Sequence, residues 1–130
     1  MKRWVWIDLS VVLALYEEHL AEHGGEMGVR DEGLLASALA RPRNKATYDP
    51  DGDAETLAAA YAFGIARNHP FMDGNKRTAL AVAEVFLIRN GFELAASDTE
   101  CVMAFLALAA GEIEEKALAD WFRRNIKAPR

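Results

Sequence analysis

Nine consecutive residues, His69-Pro70-Phe71-Met72-Asp73-Gly74-Asn75-Lys76-Arg77, gather most of the reactive side-chain chemistry of this 130-residue chain. An imidazole titrates near neutrality, so His69 can take a proton from a hydroxyl or return one. Pro70 lacks a backbone donor and disfavours helix at His69, which fixes the shape of a turn there. Phe71 is the apolar anchor of that turn. Asp73 offers the hard oxygen that Mg2+ prefers when it bridges to substrate phosphates. Gly74 lets a ligand approach the backbone, and the first amides of a helix starting at Asn75 point unpaired N–H groups at it. Lys76 and Arg77 then stand at a helix start, where the macrodipole disfavours cations unless an anion compensates them. Arg67 adds another cation at the pocket edge, or else is an ordinary charge at the end of the preceding helix. The plain alternative is a polar loop in which Asp73 caps the next helix and Lys76 and Arg77 point into water. Cations on the wrong end of a helix beside a proline-locked histidine favour the phosphate site.

The elements that must position this segment are all helical by their spacing. Leu9, Val12, Leu13, Tyr16 and Leu20 recur at three- and four-residue steps after Asp8, a helix cap, and Gly24-Gly25 stops a first helix over 9–23. Asp31 caps a short second helix through Leu34, Leu35, Ala38 and Leu39, with Pro42 marking its end. From Arg43 to Asp53 the chain is polar, and Asp49-Pro50-Asp51-Gly52 is a turn signature, so a loop or small hairpin is expected there. Ala54 to Asn68 reads as a helix with Leu57, Tyr61 and Ile65 buried, and Asn75 to Asn90 as a helix apolar on nearly every side, closed by Gly91. Ser97 and Glu100 form a capping-box pattern for a fifth helix through Leu108, and 114–127 reads as a sixth. The expected fold is an all-α bundle of about six helices over residues 1–130, one domain, with a short loop or flap between helices 2 and 3.

Composition narrows the function. Apolar residues make up 52% of the chain and charged residues 27%, an ordinary globular balance. A formal charge of −5 argues against a protein that coats nucleic acid, which depends on an excess of Lys and Arg. The lone Cys101 excludes an internal disulfide and fits a reducing cytoplasm; its apolar neighbours favour a core thiol over a nucleophile. No apolar run approaches membrane-spanning length, and the start of the chain lacks the pattern of a signal peptide. His19 and His23 stand four apart, as metal ligands on a helix would, but without a third ligand they read as part of a solvated helix end. Arg123, Arg124, Lys127 and Arg130 read as cations favoured at a helix C-terminus rather than as a basic tail.

The segment from His69 to Arg77 resembles the signature of the Fic/Doc superfamily, and specifically its Doc (death-on-curing) toxin branch. Ala40-Arg41-Pro42-Arg43, Arg89-Asn90-Gly91 and the helix order extend the likeness over nearly the whole chain. The resemblance implies a Fic-like bundle in which His69 is the base, Asp73 serves Mg2+, and Gly74, Asn75, Lys76 and Arg77, with Arg67, bind ATP phosphates. Fic enzymes transfer AMP to a protein hydroxyl. Lys76 stands where their pattern has a second glycine, and Leu80 where it has a second arginine; Ala81 replaces an asparagine found in some Doc proteins. Doc-type toxins share the lysine and resemble kinases, so the resemblance implies phosphorylation of a threonine of elongation factor Tu and arrest of translation. AMP transfer and a non-enzymatic regulatory binding module are the alternatives. No inhibitory helix of the Fic type is found; Thr47 followed by Asp51-Gly52 is the nearest string. An antitoxin whose disordered tail folds on binding is therefore expected, with Leu20 and Met27 as candidate contacts. The same resemblance places a target-docking flap at 43–53.

Overall fold

The computed structural model describes residues 3–127. The chain from Arg3 to Ile7 is held by two residues far along the sequence: Asn90 Oδ1 accepts from Val5 N–H and Tyr61 Oη from Ile7 N–H. Asp8 then starts α1 (Leu9–His23), its carboxylate accepting from Val11 N–H, and Gly24 at φ 78° ends it. The other helices are α2 (Glu32–Tyr48), α3 (Ala54–Asn68), α4 (Asn75–Arg89), α5 (Asp98–Ala109) and α6 (Glu115–Arg124). Two short strands, β1 (Glu93–Leu94) and β2 (Ile126–Lys127), pair antiparallel. The six-helix all-α expectation therefore holds, with a minimal β addition.

The centre of the bundle is α3, which packs against α2, α4, α5 and α6. Its Ala-rich sequence is what permits this, because small side chains let neighbouring helices approach on every side. Gly64 is the extreme case: a Cβ there would lie 3.1 Å from the Ala38 Cα of α2. Leu57, Tyr61 and Ile65 are buried as their spacing requires, and Phe86, Phe105, Leu108, Leu118 and Phe122 complete the core around them. Cys101 belongs to the buried residues, and burial pushes its thiol up from the ordinary range, which disfavours the thiolate a nucleophile needs.

Two boundaries differ from expectation. Helix α2 does not stop at Pro42 but runs through it to Tyr48, so the chain from Arg43 to Tyr48 is helix and only residues 49–53 are loop. A proline inside a helix costs about 3 kcal/mol through its missing donor and ring clash. Tertiary contacts on both sides offset that cost. Pro42 is buried, Arg41 Nε donates to Glu115 Oε1 at 2.5 Å, and Lys45 pairs with the other oxygen of the same carboxylate. At the other end, α6 stops at Arg124 rather than continuing to Lys127. Asn125 O accepts from Ala95 N–H at 2.6 Å, and this bond draws the chain into the β1–β2 pair.

The terminal cations divide accordingly. Arg123 and Arg124 lie in the last turn of α6, Lys127 lies in β2, and Arg130 falls outside the described residues. Arg123 has a specific partner: its guanidinium forks onto Asp53, Nε to Oδ2 at 2.7 Å and Nη2 to Oδ1 at 3.0 Å. Asp53 also caps α3 by accepting from Thr56 N–H. The Arg123 guanidinium, aided by Thr56, holds the Asp53 carboxyl well below the usual carboxylate range. Asp53→Ala should therefore destabilise the fold by about 1–2 kcal/mol, mostly through the lost cap, since the half-exposed ion pair adds less than about 1 kcal/mol. Because the folded-state pKa is depressed, this contribution is present above pH ~4 and fades as pH falls below it. Urea melts of both proteins at neutral and acid pH should show the gap closing, and a pH-independent gap would contradict the role of the charge.

Candidate active site

The turn between α3 and α4 is built around one residue in a strained conformation. His69 caps α3 at φ 50°, ψ 54°, and is the one non-glycine residue with positive φ among those described. A left-handed conformation costs an L-residue about 1–2 kcal/mol, so surrounding contacts must hold it. Pro70 keeps His69 from continuing the helix, and Phe71 then drops into the core, fully buried and stacked on Tyr16 with ring centroids 4.0 Å apart.

Asn75, the first residue of α4, closes the turn from below. Its side chain is buried, with Oδ1 accepting from Phe71 N–H at 2.9 Å and Nδ2 donating to Phe71 O at 3.0 Å. These two bonds fix the orientation of the amide. Nδ2 also lies 3.2 Å from His69 Nδ1 and can only donate there, so Nδ1 is the acceptor and the neutral ring carries its proton on Nε2. The Asn75 side chain thus positions the turn and the imidazole; what it can offer a phosphate is its backbone N–H.

Gly74 precedes α4 at φ 80° and supplies no side-chain cap. Asp73 does not cap the helix either. Its Oδ2 instead accepts from Glu26 N–H at 2.7 Å, which leaves Oδ1 without a hydrogen bond among the described residues. The first amides of α4 are therefore uncapped by any side chain, and Lys76 and Arg77 are exposed beside them. Both features of an anion site are present.

These residues face a cleft of about 450 Å3. His69, Asp73, Gly74, Asn75, Lys76 and Arg77 form its polar side, and Leu80, Val102, Phe105 and Leu106 its apolar wall, the last three from α5. Val102, Met103 and Leu106 remain well exposed along that helix. A cleft with phosphate-seeking groups at one end and an apolar wall at the other suits a nucleotide. Arg67 does not line it. Its guanidinium lies over the Phe63 ring at 5.3 Å, beside Gly111. His19 and His23 stack on each other at 6.1 Å, and no cluster of three metal-binding side chains occurs among the described residues.

Spacing in the sequence did not single out the loop that supports this site. Residues 24–31, between α1 and α2, run against the motif: Val29 bridges Phe71 antiparallel, Arg30 N–H donates to Pro70 O at 2.7 Å, and Met72 N–H to Gly28 O at 2.9 Å. Tyr16 Oη accepts from Gly28 N–H at 2.6 Å and so ties the loop to α1. Two expectations shift as a result. The stretch at 43–53 is mainly helix and lines a different groove, with Trp4 and Trp6, so the loop that borders the motif is 24–31. Leu20 is buried, 3.5 Å from where a Cβ on Gly74 would stand, and offers no surface to a partner; Met27 is 63% exposed.

Comparison with known proteins agrees with this geometry. The Fic/DOC family model matches residues 6–87, which include the whole motif. The chain is 34% identical over 118 residues to the protein kinase doc of Escherichia phage P1, covering 91% of this chain and 93% of that protein. It is 51% identical over 75 residues to the toxin Doc of Mycolicibacterium smegmatis, covering 56% of this chain and 57% of that protein. A motif turn set between two central helices, matched by the family model and by relatives of this kind, makes the chain a member of the Fic/DOC family, in its Doc branch.

Proposed function

We propose that this protein is the toxin of a toxin–antitoxin pair and a Mg-ATP-dependent protein kinase that phosphorylates a hydroxyl, such as that of a threonine, on a translation factor. The observation that carries the reading is the cleft in which His69 stands beside the uncapped N-terminus of α4 with Lys76 and Arg77. The first amides of α4, from Asn75, and the two cations hold the phosphates, and the wall from Leu80 to Leu106 receives the base. Asp73, through its free Oδ1, is the residue that would hold Mg2+, which when bound neutralises charge on the phosphates. The target hydroxyl attacks the γ-phosphorus, the bond to the β-phosphate oxygen breaks, ADP leaves, and His69 takes the hydroxyl proton. In the tautomer that Asn75 selects, Nδ1 is the ring nitrogen able to accept a proton, so the target hydroxyl takes the place of Asn75 Nδ2 at that atom during turnover.

The target segment has a place to align. Because Arg30 N–H and Gly28 O bond to the motif turn, Val29 in this antiparallel bridge directs its own N–H and C=O away from it. An extended target chain can add there as a further strand. The translation factor expected from the Doc resemblance is elongation factor Tu. Incubation of the purified protein with Mg-ATP and elongation factor Tu, followed by mass spectrometry, tests the reading. A gain of one phosphoryl group supports it, a gain of AMP assigns Fic-type transfer instead, and an unmodified target together with no ATP turnover favours the binding-module reading.

Restraint by an antitoxin belongs to the same reading, as the names of the Doc relatives imply. Met27 and the exposed α5 positions Val102, Met103 and Leu106 are apolar anchors that a tail folding on binding can use. Expression alone should stop growth of a sensitive host, and co-expression with a neighbouring small gene should restore it. Robust growth without a partner would count against toxicity.

A further inference from the structure

We infer that Arg30, outside the motif, is a positioning residue for His69. Three successive carbonyls at the end of α3 are taken by residues 30 and 31: Arg30 Nε donates to His69 O at 2.7 Å, Arg30 Nη2 to Asn68 O at 2.9 Å, and the backbone N–H groups of Arg30 and Asp31 both to Pro70 O. The planar guanidinium fork can satisfy two adjacent carbonyls only when they point in one fixed relation to each other, and that relation is set by the φ and ψ of His69. Since His69 is held in a left-handed conformation it would otherwise leave, the fork selects the strained backbone that brings its ring to Asn75. Neighbouring bonds fix the fork itself. Asp31 caps α2, and Asn68 Nδ2 donates to Leu34 O in the first turn of that helix, so the start of α2 and the end of α3 are joined around Arg30. Arg30 does not line the nucleotide cleft. Its effect must pass through His69.

The kinetic part of this inference rests on the proposed kinase activity; the spectroscopic part does not. In Arg30→Ala, kcat should fall about 10- to 100-fold, as expected when a reacting group is displaced by about an ångström, while KM for ATP stays unchanged. Arg30→Lys should recover little, because one ammonium cannot span both carbonyls. Added guanidinium, far below denaturing concentrations, should restore part of the lost rate in Arg30→Ala. Independently, 15N NMR of the imidazoles, with His69 assigned by comparison with His69→Gln, should show the Nε2–H tautomer in the intact protein and a mixture in Arg30→Ala. An unchanged His69 tautomer in Arg30→Ala overturns the inference, as does a loss of rate that guanidinium does not relieve and that tracks lowered thermal stability. If the intact protein transfers nothing to any target while the tautomer still shifts in Arg30→Ala, the proposed function fails and the positioning role stands.

Discussion

His69→Ala is expected to abolish transfer while leaving the protein folded. A general base contributes about 10²- to 10⁴-fold, and the other titratable side chain of the turn, Asp73, is engaged by Glu26 N–H and assigned to Mg2+. The fold should survive because the imidazole is exposed and its one hydrogen bond, from Asn75 Nδ2, duplicates a group that also donates to Phe71 O. Alanine takes φ 50° somewhat less readily than histidine, but the Arg30 fork, which contacts the backbone, remains to hold it. The measurement is kcat beside a urea melt. Full activity in the variant would remove His69 from the mechanism, and a collapsed melt would mean that the ring holds the turn rather than serving the reaction. Asn75→Ala is a poor substitute for this test. Its amide is buried with three contacts, so its removal strips Phe71 of partners and confounds chemistry with folding.

Much of this arrangement could be read from the chain because it rests on local rules. Asp8, Asp31 and Ser97 cap helices where short polar side chains precede apolar periodicity, and Ser97 with Glu100 completes the capping box. The motif turn was legible for the same reason: proline after histidine and glycine before a helix act within a few residues. What was not legible depends on partners distant in sequence. Pro42 should end a helix by local preference, yet Glu115, distant in sequence, bonds Arg41 and Lys45 on either side of it. Arg30 lies 39 residues from the carbonyl of His69 that it holds, and neither its spacing nor its neighbours mark it. The loop over 24–31 carries three glycines with positive φ, at 24, 25 and 28, the first two a stop signal by local rules; its pairing with Phe71 is a tertiary fact. Leu20 follows the helical stripe into the core, as a periodic apolar residue usually does.

Asp73→Asn should raise the Mg2+ concentration needed for transfer by about tenfold or more, with little change in the fold. The structure gives Asp73 two separable duties. One oxygen accepts from Glu26 N–H and anchors the 24–31 loop against the motif; the other has no hydrogen bond among the described residues, and the residue lines the cleft. An asparagine can keep the first duty, because its carbonyl oxygen still accepts from Glu26 N–H, but it brings no negative charge and is a poorer ligand for a hard divalent ion. Asp73→Ala loses both. The pair of variants therefore distinguishes metal binding from loop anchoring. If Asp73 serves the metal, both variants should show the raised Mg2+ requirement, and hydrogen exchange at the Glu26 amide should accelerate only in Asp73→Ala. If Asp73 is solely an anchor, Asp73→Asn should titrate with Mg2+ like the intact protein and only Asp73→Ala should be impaired. An Asp73→Asn protein with unchanged metal dependence would thus leave Oδ1 without a role in catalysis and shift the search for the Mg2+ ligand to the phosphates of the substrate itself.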